Sequence, residues 1–397
     1  MTPATNSPVL EKLQTRALVA GGVFLVALAA GFAVDRAQFF RSYLFGWLFW
    51  VGMGVGCMGL AMLNYLTGGL WGLVPRRLHE AAARTLPAMG VLFVPVLVGA
   101  TSIYAWARPE AAADSVLASK AAYLNLPFFV ARAVVYVLVW SLLAWLLSSW
   151  SRRQDVAPDP ARAGRRRGIS GIGLVVLALT TTFASIDWGM SLAPHWFSTM
   201  YGVLYIVGWT LSALSLTILL VAVLAGEEPF RRAVRPETLG DLGKLLLTFT
   251  MLWAYVNFSQ FLIIWSGNVS EETPFYLRRL QGAWLPMAVL LLVFHFALPF
   301  ALLLSRPLKR SARALAGVAG LMMLMRIVDL FWLVGPDLVG HGPEPAPVRV
   351  HWMDLAAVLG LGGLWLFLFA RQARTAPVLP ADEPELRELL AAGQGTR

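Results

Sequence analysis

Cysteine is almost missing from this 397-residue chain: Cys57 stands alone. One thiol cannot build a disulfide framework, a thiolate zinc site or a C-x-x-C-H attachment for covalent haem. An iron–sulfur cluster takes about four ligands, usually cysteines, and is excluded as well. Charge is scarce too. Lys, Arg, Asp and Glu make up 14% of the residues, against roughly 25% in an average soluble domain. No block of polar sequence is large enough to fold by itself.

What is there is apolar. Hydrophobic residues reach 58%, in runs of about 20, the length that crosses ~30 Å of hydrocarbon. Charged or Pro/Gly-rich breaks divide the chain into ten predicted spans at approximately 16–34, 43–67, 85–105, 127–149, 169–188, 199–225, 241–266, 284–305, 311–335 and 353–371. The first has too long an apolar run for a cleaved signal sequence, and no small-residue cleavage site follows it. The expected fold is therefore an all-α membrane protein of about ten helices. Residues 16–372 form the membrane domain, between tails at 1–15 and 373–397. Residues 1–12 and 375–397 have no apolar face and are expected to be disordered or peripheral.

Of the 32 Lys and Arg residues, 23 fall at the amino terminus, after even-numbered spans or in the carboxyl tail, and 7 fall after odd-numbered spans. Positive loops stay cytoplasmic, so both termini are expected inside. The net charge of +10 does not point to nucleic acid, because the basic residues sit beside apolar spans rather than along one face. The stretch Gly69 to Arg84 is expected as an amphipathic surface helix, with Trp71 and Leu78 on lipid and Arg76, Arg77 and Arg84 on headgroups. Gly54-Val-Gly-Cys-Met-Gly59 matches a dinucleotide fingerprint in letters only. It lies inside an apolar run instead of at a strand-to-helix turn, and reads as helix packing.

A polar group at bilayer depth is costly and normally faces the bundle interior. In helix 5, Asp187 leads into a turn carrying His195. This is either a capped interfacial turn or an acid/base pair that relays protons from a quinol, walled by Trp188 and Trp196. Helix 7 carries Tyr255, Asn257, Ser259 and Gln260, either interhelical hydrogen-bonding groups or the lining of a wet path. Helix 8 has His295 at mid-depth, a packing histidine or a relay member. Being the only histidine expected there, it speaks against a bis-histidine haem b. Helix 9 has Arg326 and Asp329 three apart, near enough to pair. In helix 4, Arg132 could meet Asp187 or Asp329, or snorkel outward. These groups crowd the non-cytoplasmic half. Ile186-Asp187-Trp188 is echoed by Val328-Asp329 before Trp332, suggesting repeated four-helix units at helices 2–5 and 6–9. A secondary transporter is disfavoured, because the spans show few Pro/Gly breaks.

Five strings carry a resemblance. They are Gln38-Phe-Phe-Arg-Ser-Tyr-Leu, Thr67-Gly-Gly-Leu-Trp-Gly, Phe183 to Thr199, Ala254 to Asn268, and Arg326-Ile-Val-Asp-Leu-Phe-Trp. Together they resemble the NrfD/polysulfide-reductase family of membrane subunits, in the ActF branch found in bacterial alternative complex III. The likeness runs from about residue 16 to 372. It implies two four-helix bundles with flanking helices in a bacterial inner membrane. It also implies a subunit without its own redox centre in a quinol-oxidising complex. Its partners would be an ActC-like homologue, an iron–sulfur subunit and c-haem subunits that pass electrons to a carrier. Quinone or quinol is the implied ligand, and Asp187, His195, His295, Asp329, Arg326 and Arg132 the implied proton or quinone groups. A purely structural assembly subunit of the same complex is the alternative.

Overall fold

A computed structural model describes residues 7–339, 348–380 and 383–392. Ten helices in it are long and apolar enough to cross a membrane. They are α1 (Pro8–Val34), α2 (Arg36–Thr67), α3 (Arg76–Val98), α4 (Leu126–Val156), α5 (Pro160–Trp188), α6 (Tyr201–Leu224), α7 (Pro236–Gly267), α8 (Trp284–Leu304), α9 (Ala312–Val339) and α10 (Trp352–Ala373). All ten predicted spans are present, and among the described residues there is no strand. Side chains such as Val23, Leu138, Ile172 and Val289 stand exposed on the outer helices. That is the surface a multi-pass membrane protein turns to lipid, since lipid needs no shielding from apolar groups.

The helices pack as two closed four-helix rings, α2–α3–α4–α5 and α6–α7–α8–α9, joined where α6 lies against α2 and α5. α10 packs on α2 and α3, and α1 packs on α10. Lipid gives no hydrophobic drive between helices, so close backbone approach matters. A Cβ at Gly21 would lie 2.8 Å from the Cα of Gly363, so these two positions let α1 and α10 touch. The fingerprint-like glycines do similar work: a Cβ on Gly56 would lie 2.4 Å from the carbonyl oxygen of Trp209 on α6.

Several local expectations change. The third span is not one clean helix. It runs as Arg76–Ala83, Leu86–Val91 and Val94–Val98, with Pro87 and Pro95 each starting a new segment. α8 contains a π-helical stretch, Leu291–Ala297. The helix at Arg76–Ala83 is no surface helix. Arg76, Arg77 and Leu78 are buried, because acidic partners meet the arginines from their own helix and from elsewhere in the fold. Arg77 pairs with Glu80 at 2.7 Å and also with Asp155 at the end of α4, while the Tyr65 hydroxyl donates to Glu80 at 2.5 Å. The carboxyl tail docks as well. Glu383 pairs with both Arg76 and Arg166, and Leu386 in the final helix, Pro384–Ala392, is buried. At the amino end, α1 already starts at Pro8, and Ser7 bonds to Glu227 in the loop after α6. These contacts gather both tails at one end of the bundle, called the tail end below. The opposite end is called the far end.

Candidate functional site

Arg132 with Asp187, and Arg326 with Asp329 and His295, form two separate centres, one in each ring. In the first, Arg132 sits one turn into α4 and Asp187 in the last turn of α5. Arg132 meets Asp187 side-on: Nε donates to Oδ2 and Nη2 to Oδ1, both at 2.8 Å. The Tyr136 hydroxyl donates to Oδ2 at 2.8 Å. The third guanidinium nitrogen donates to the Tyr123 carbonyl at 3.0 Å, and the group lies 3.8 Å from the Tyr123 ring centroid. Asp187 is 0% exposed. Trp188 is buried among Trp47, Phe93, Tyr136 and Trp140. Of the partners open to Arg132 in the sequence, Asp187 is the one it takes. Tyr136 was missed, although Arg132, Tyr136 and Trp140 follow at four-residue intervals and share a helix face.

His195 does not join Asp187. The turn after α5 carries it to the surface, where its Nε2 lies 2.7 Å from Asp114 Oδ2 and its side chain is 53% exposed. Of the two readings of this turn, the acid/base pair is therefore not formed, and His195 is solvated. Asp114 caps the short helix that follows it. The Leu117 and Val116 amides and the His195 ring together hold its carboxyl below the ordinary aspartate range. Trp196 stacks on Phe275, rings 3.9 Å apart, at a point where the two rings of helices meet.

In the second centre, Arg326 and Asp329 pair across one turn of α9, as their spacing predicted. The Arg326 Nε donates to the Ser212 hydroxyl on α6 at 3.2 Å, and its guanidinium packs where a Cβ at Gly208 would stand. Trp253 on α7 donates its indole N–H to Asp329 Oδ2 at 3.3 Å. His295 meets the same Trp253 edge-on, ring centroids 4.0 Å apart. It is 0% exposed, and neither ring nitrogen has a hydrogen-bond partner in the protein. No protein group supplies it with a hydrogen bond. Nor is it the only buried one: His79, near the tail end, bonds to Thr217 at 2.9 Å.

A cavity of about 510 Å³ opens beside Asp329 between α7 and α8. Trp253, Phe258, Phe261, Tyr276, Leu291 and Trp332 supply much of its wall, and Asp329 is the ionisable carboxyl in it. The helix-7 stripe splits around this cavity. Asn257 lines it but donates to the Trp253 carbonyl at 2.9 Å. Tyr255 lines it at the lipid side and is 67% exposed. Ser259 is half-buried on another face, and Gln260 is buried toward the Tyr276 hydroxyl. Exposed Met251, Tyr255, Phe258 and Leu292 form the rim, so the cavity faces where lipid tails would lie.

A third buried charge escaped the sequence reading. Arg279, in the far-end segment after α7, is 0% exposed. It donates to Asp337 at 2.5 Å and to the carbonyls of Leu333, Trp332 and Phe275, and its guanidinium lies 3.6 Å from the Phe275 ring. An arginine in a loop gives no sign in sequence that it will be buried. Here it closes the last turn of α9, where Pro336 leaves carbonyls without their helical donors. Among the described residues, no cluster of His, Cys, Asp and Glu could hold a metal ion. No known family and no curated protein matches this chain.

Proposed function

We propose that this protein is a membrane subunit without its own redox centre in a quinol-oxidising complex, and that its second ring of helices receives the quinol head. One observation carries this reading: a lone carboxyl, Asp329, on the wall of a largely apolar, lipid-facing cavity of about 510 Å³. Cavities of about 300–1,000 Å³ with apolar walls and a few placed polar groups suit small ligands. A quinol enters from lipid, needs aromatic walls for its ring, and must lose protons as it is oxidised. Asp329 would accept a proton from the quinol hydroxyl, and Arg326 supplies the opposing charge beside it. The electrons would leave to iron–sulfur and c-haem centres of partner subunits, since Cys57 alone offers no cluster ligand set. An ActC-like homologue would be the neighbouring membrane subunit. The resemblance to the ActF branch of alternative complex III supports this setting. The Lys and Arg bias supports a cytoplasmic tail end in a bacterial inner membrane.

The test is Asp329→Asn in the assembled complex. Loss of a general base costs about 100-fold or more, so quinol turnover should fall by that order while the complex still assembles. Unchanged turnover per assembled complex would remove Asp329 from the chemistry.

A structural role is the second reading, and the first ring favours it there. Asp187 has its charge and hydrogen bonds met by Arg132 and Tyr136 with no exposure to solvent. A subunit that is structural throughout would lose assembly, and keep activity per complex, on substitution at either Asp187 or Asp329.

A further inference from the structure

A second cavity, about 400 Å³, lies at the far end beside α4 and α5. It sits between the segment 119–124 and the turn after α5, apart from the cavity at Asp329. Its polar lining includes Lys120, Trp196, Ser119 and Ser191, and no carboxylate lines it among the described residues. The nearest acidic groups in the sequence of these segments are already engaged, Asp187 by Arg132 and Asp114 by His195.

Lys120 is the donor here with capacity to spare. Trp196 is 5% exposed, and its stacking on Phe275 fixes the ring as part of the wall. Lys120 donates to the Pro194 carbonyl at 2.6 Å, and an ammonium has three protons, so two remain. Desolvation lowers the Lys120 pKa from the ordinary lysine value, and a neighbouring anion would oppose that shift. The remaining wall is apolar, including Leu124, Ile186, Met190 and Phe197. A free inorganic anion would leave that wall unused.

We propose that this cavity binds an anionic phospholipid, its phosphate held by Lys120 and an acyl chain laid along Ile186 and Leu124. The absence of a lining carboxylate argues for an anionic over a zwitterionic headgroup, because nothing there would pair with a headgroup ammonium.

The test counts lipids retained by the purified full-length chain, by native mass spectrometry, during titration with phosphatidylglycerol or phosphatidylcholine. Wild type should retain one phosphatidylglycerol in preference to phosphatidylcholine. Lys120→Gln keeps a donor for Pro194 and removes the charge. A hydrogen bond to a charged group is worth about 1.5–3 kcal/mol, so this variant should bind phosphatidylglycerol about tenfold or more weakly. Equal retention of both lipids would overturn the assignment. So would unchanged affinity in the variant, or displacement of the lipid by millimolar inorganic phosphate or by a short-chain quinone. Asp329→Asn is the separate arm. It should leave lipid retention as in wild type, so the two cavities succeed or fail independently.

Discussion

Arg132 and Asp187 form a two-point pair across two helices, with both contacts at 2.8 Å and Asp187 wholly buried. Arg326 and Asp329 also pair, but within one helix and on a cavity wall. The two carboxylates occupy comparable places in the two four-helix rings and have opposite surroundings. One is closed by protein, and the other faces open space.

That difference predicts how the first pair fails. Removing one partner of a buried ion pair leaves a bare charge and costs about 3–5 kcal/mol. Asp187→Asn and Arg132→Ala should each sharply lower the yield and melting temperature of the protein in detergent. The double variant Arg132→Met with Asp187→Leu should recover much of the loss, because apolar replacement of a whole pair is often neutral or better. A double variant no better than either single would mean that the pair has a role beyond holding α4 to α5.

His195 should behave differently. It is exposed and bonded only to Asp114, and screened surface pairs add little. His195→Ala should leave the melting temperature essentially unchanged and quinol turnover of an assembled complex within about twofold of wild type. A large loss of turnover would restore it to a proton route.

These contrasts mark what the sequence could and could not convey. The ten spans were legible because hydrocarbon thickness demands about 20 apolar residues each time. Arg326 and Asp329 were legible because helix geometry joins residues three apart. The partner of Arg132 was not, since Asp187 lies 55 residues away and only the packing of α4 on α5 selects it. Nor could spacing show that the turn after α5 would swing His195 away from Asp187. Arg76 and Arg77 misled for a related reason. An amphipathic pattern says that a polar face exists, but not whether headgroups or protein acids such as Glu80, Asp155 and Glu383 will meet it. The tail looked unstructured because its anchors, Val378, Leu379, Glu383 and Leu386, are scattered among Pro, Ala and charged residues and form no regular apolar face.

Docking of that tail should depend on pH. Burial alone would raise the Glu383 pKa, but Arg76 and Arg166 outweigh it and hold the carboxyl below the ordinary glutamate value of 4.5. A depressed pKa stabilises the docked form above the undocked value and loses that contribution as pH falls through the docked one. The tail should therefore be protected from proteolysis at neutral pH and become cleavable as pH drops below about 4.5. Glu383→Gln should be cleavable across the whole range. Protection of that variant at neutral pH would assign the docking to Leu386 and its neighbours instead.

The close approach of α1 to α10 gives a further expectation. A side chain at Gly363 would strike the Gly21 backbone, with a Cβ only 2.3 Å from its Cα. Backbone cannot yield as a flexible side chain can, so Gly363→Leu must push α1 away. Crosslinking between cysteines placed on α1 and α10 should fall strongly in that variant, while the two four-helix rings stay folded. Undiminished crosslinking would show that α10 can turn to absorb the added volume.

His295 offers the sharpest separation of stability from function. Its two ring nitrogens lie buried without a protein partner, against Trp253 and within a π-helical stretch of α8. Unpaired buried polar groups cost about 1–3 kcal/mol each, and π-helical insertions are frequent at functional sites. A purely structural role gives no reason to keep such a group. His295→Phe preserves a flat ring against Trp253 and removes both unpaired nitrogens, so the variant should melt at a higher temperature than wild type. If the imidazole serves the ligand of the Asp329 cavity, the same variant should lose quinol turnover about 100-fold, the usual effect of deleting an acid–base group. A lower melting temperature would instead mean that buried water satisfies His295, and that its place in the fold is structural.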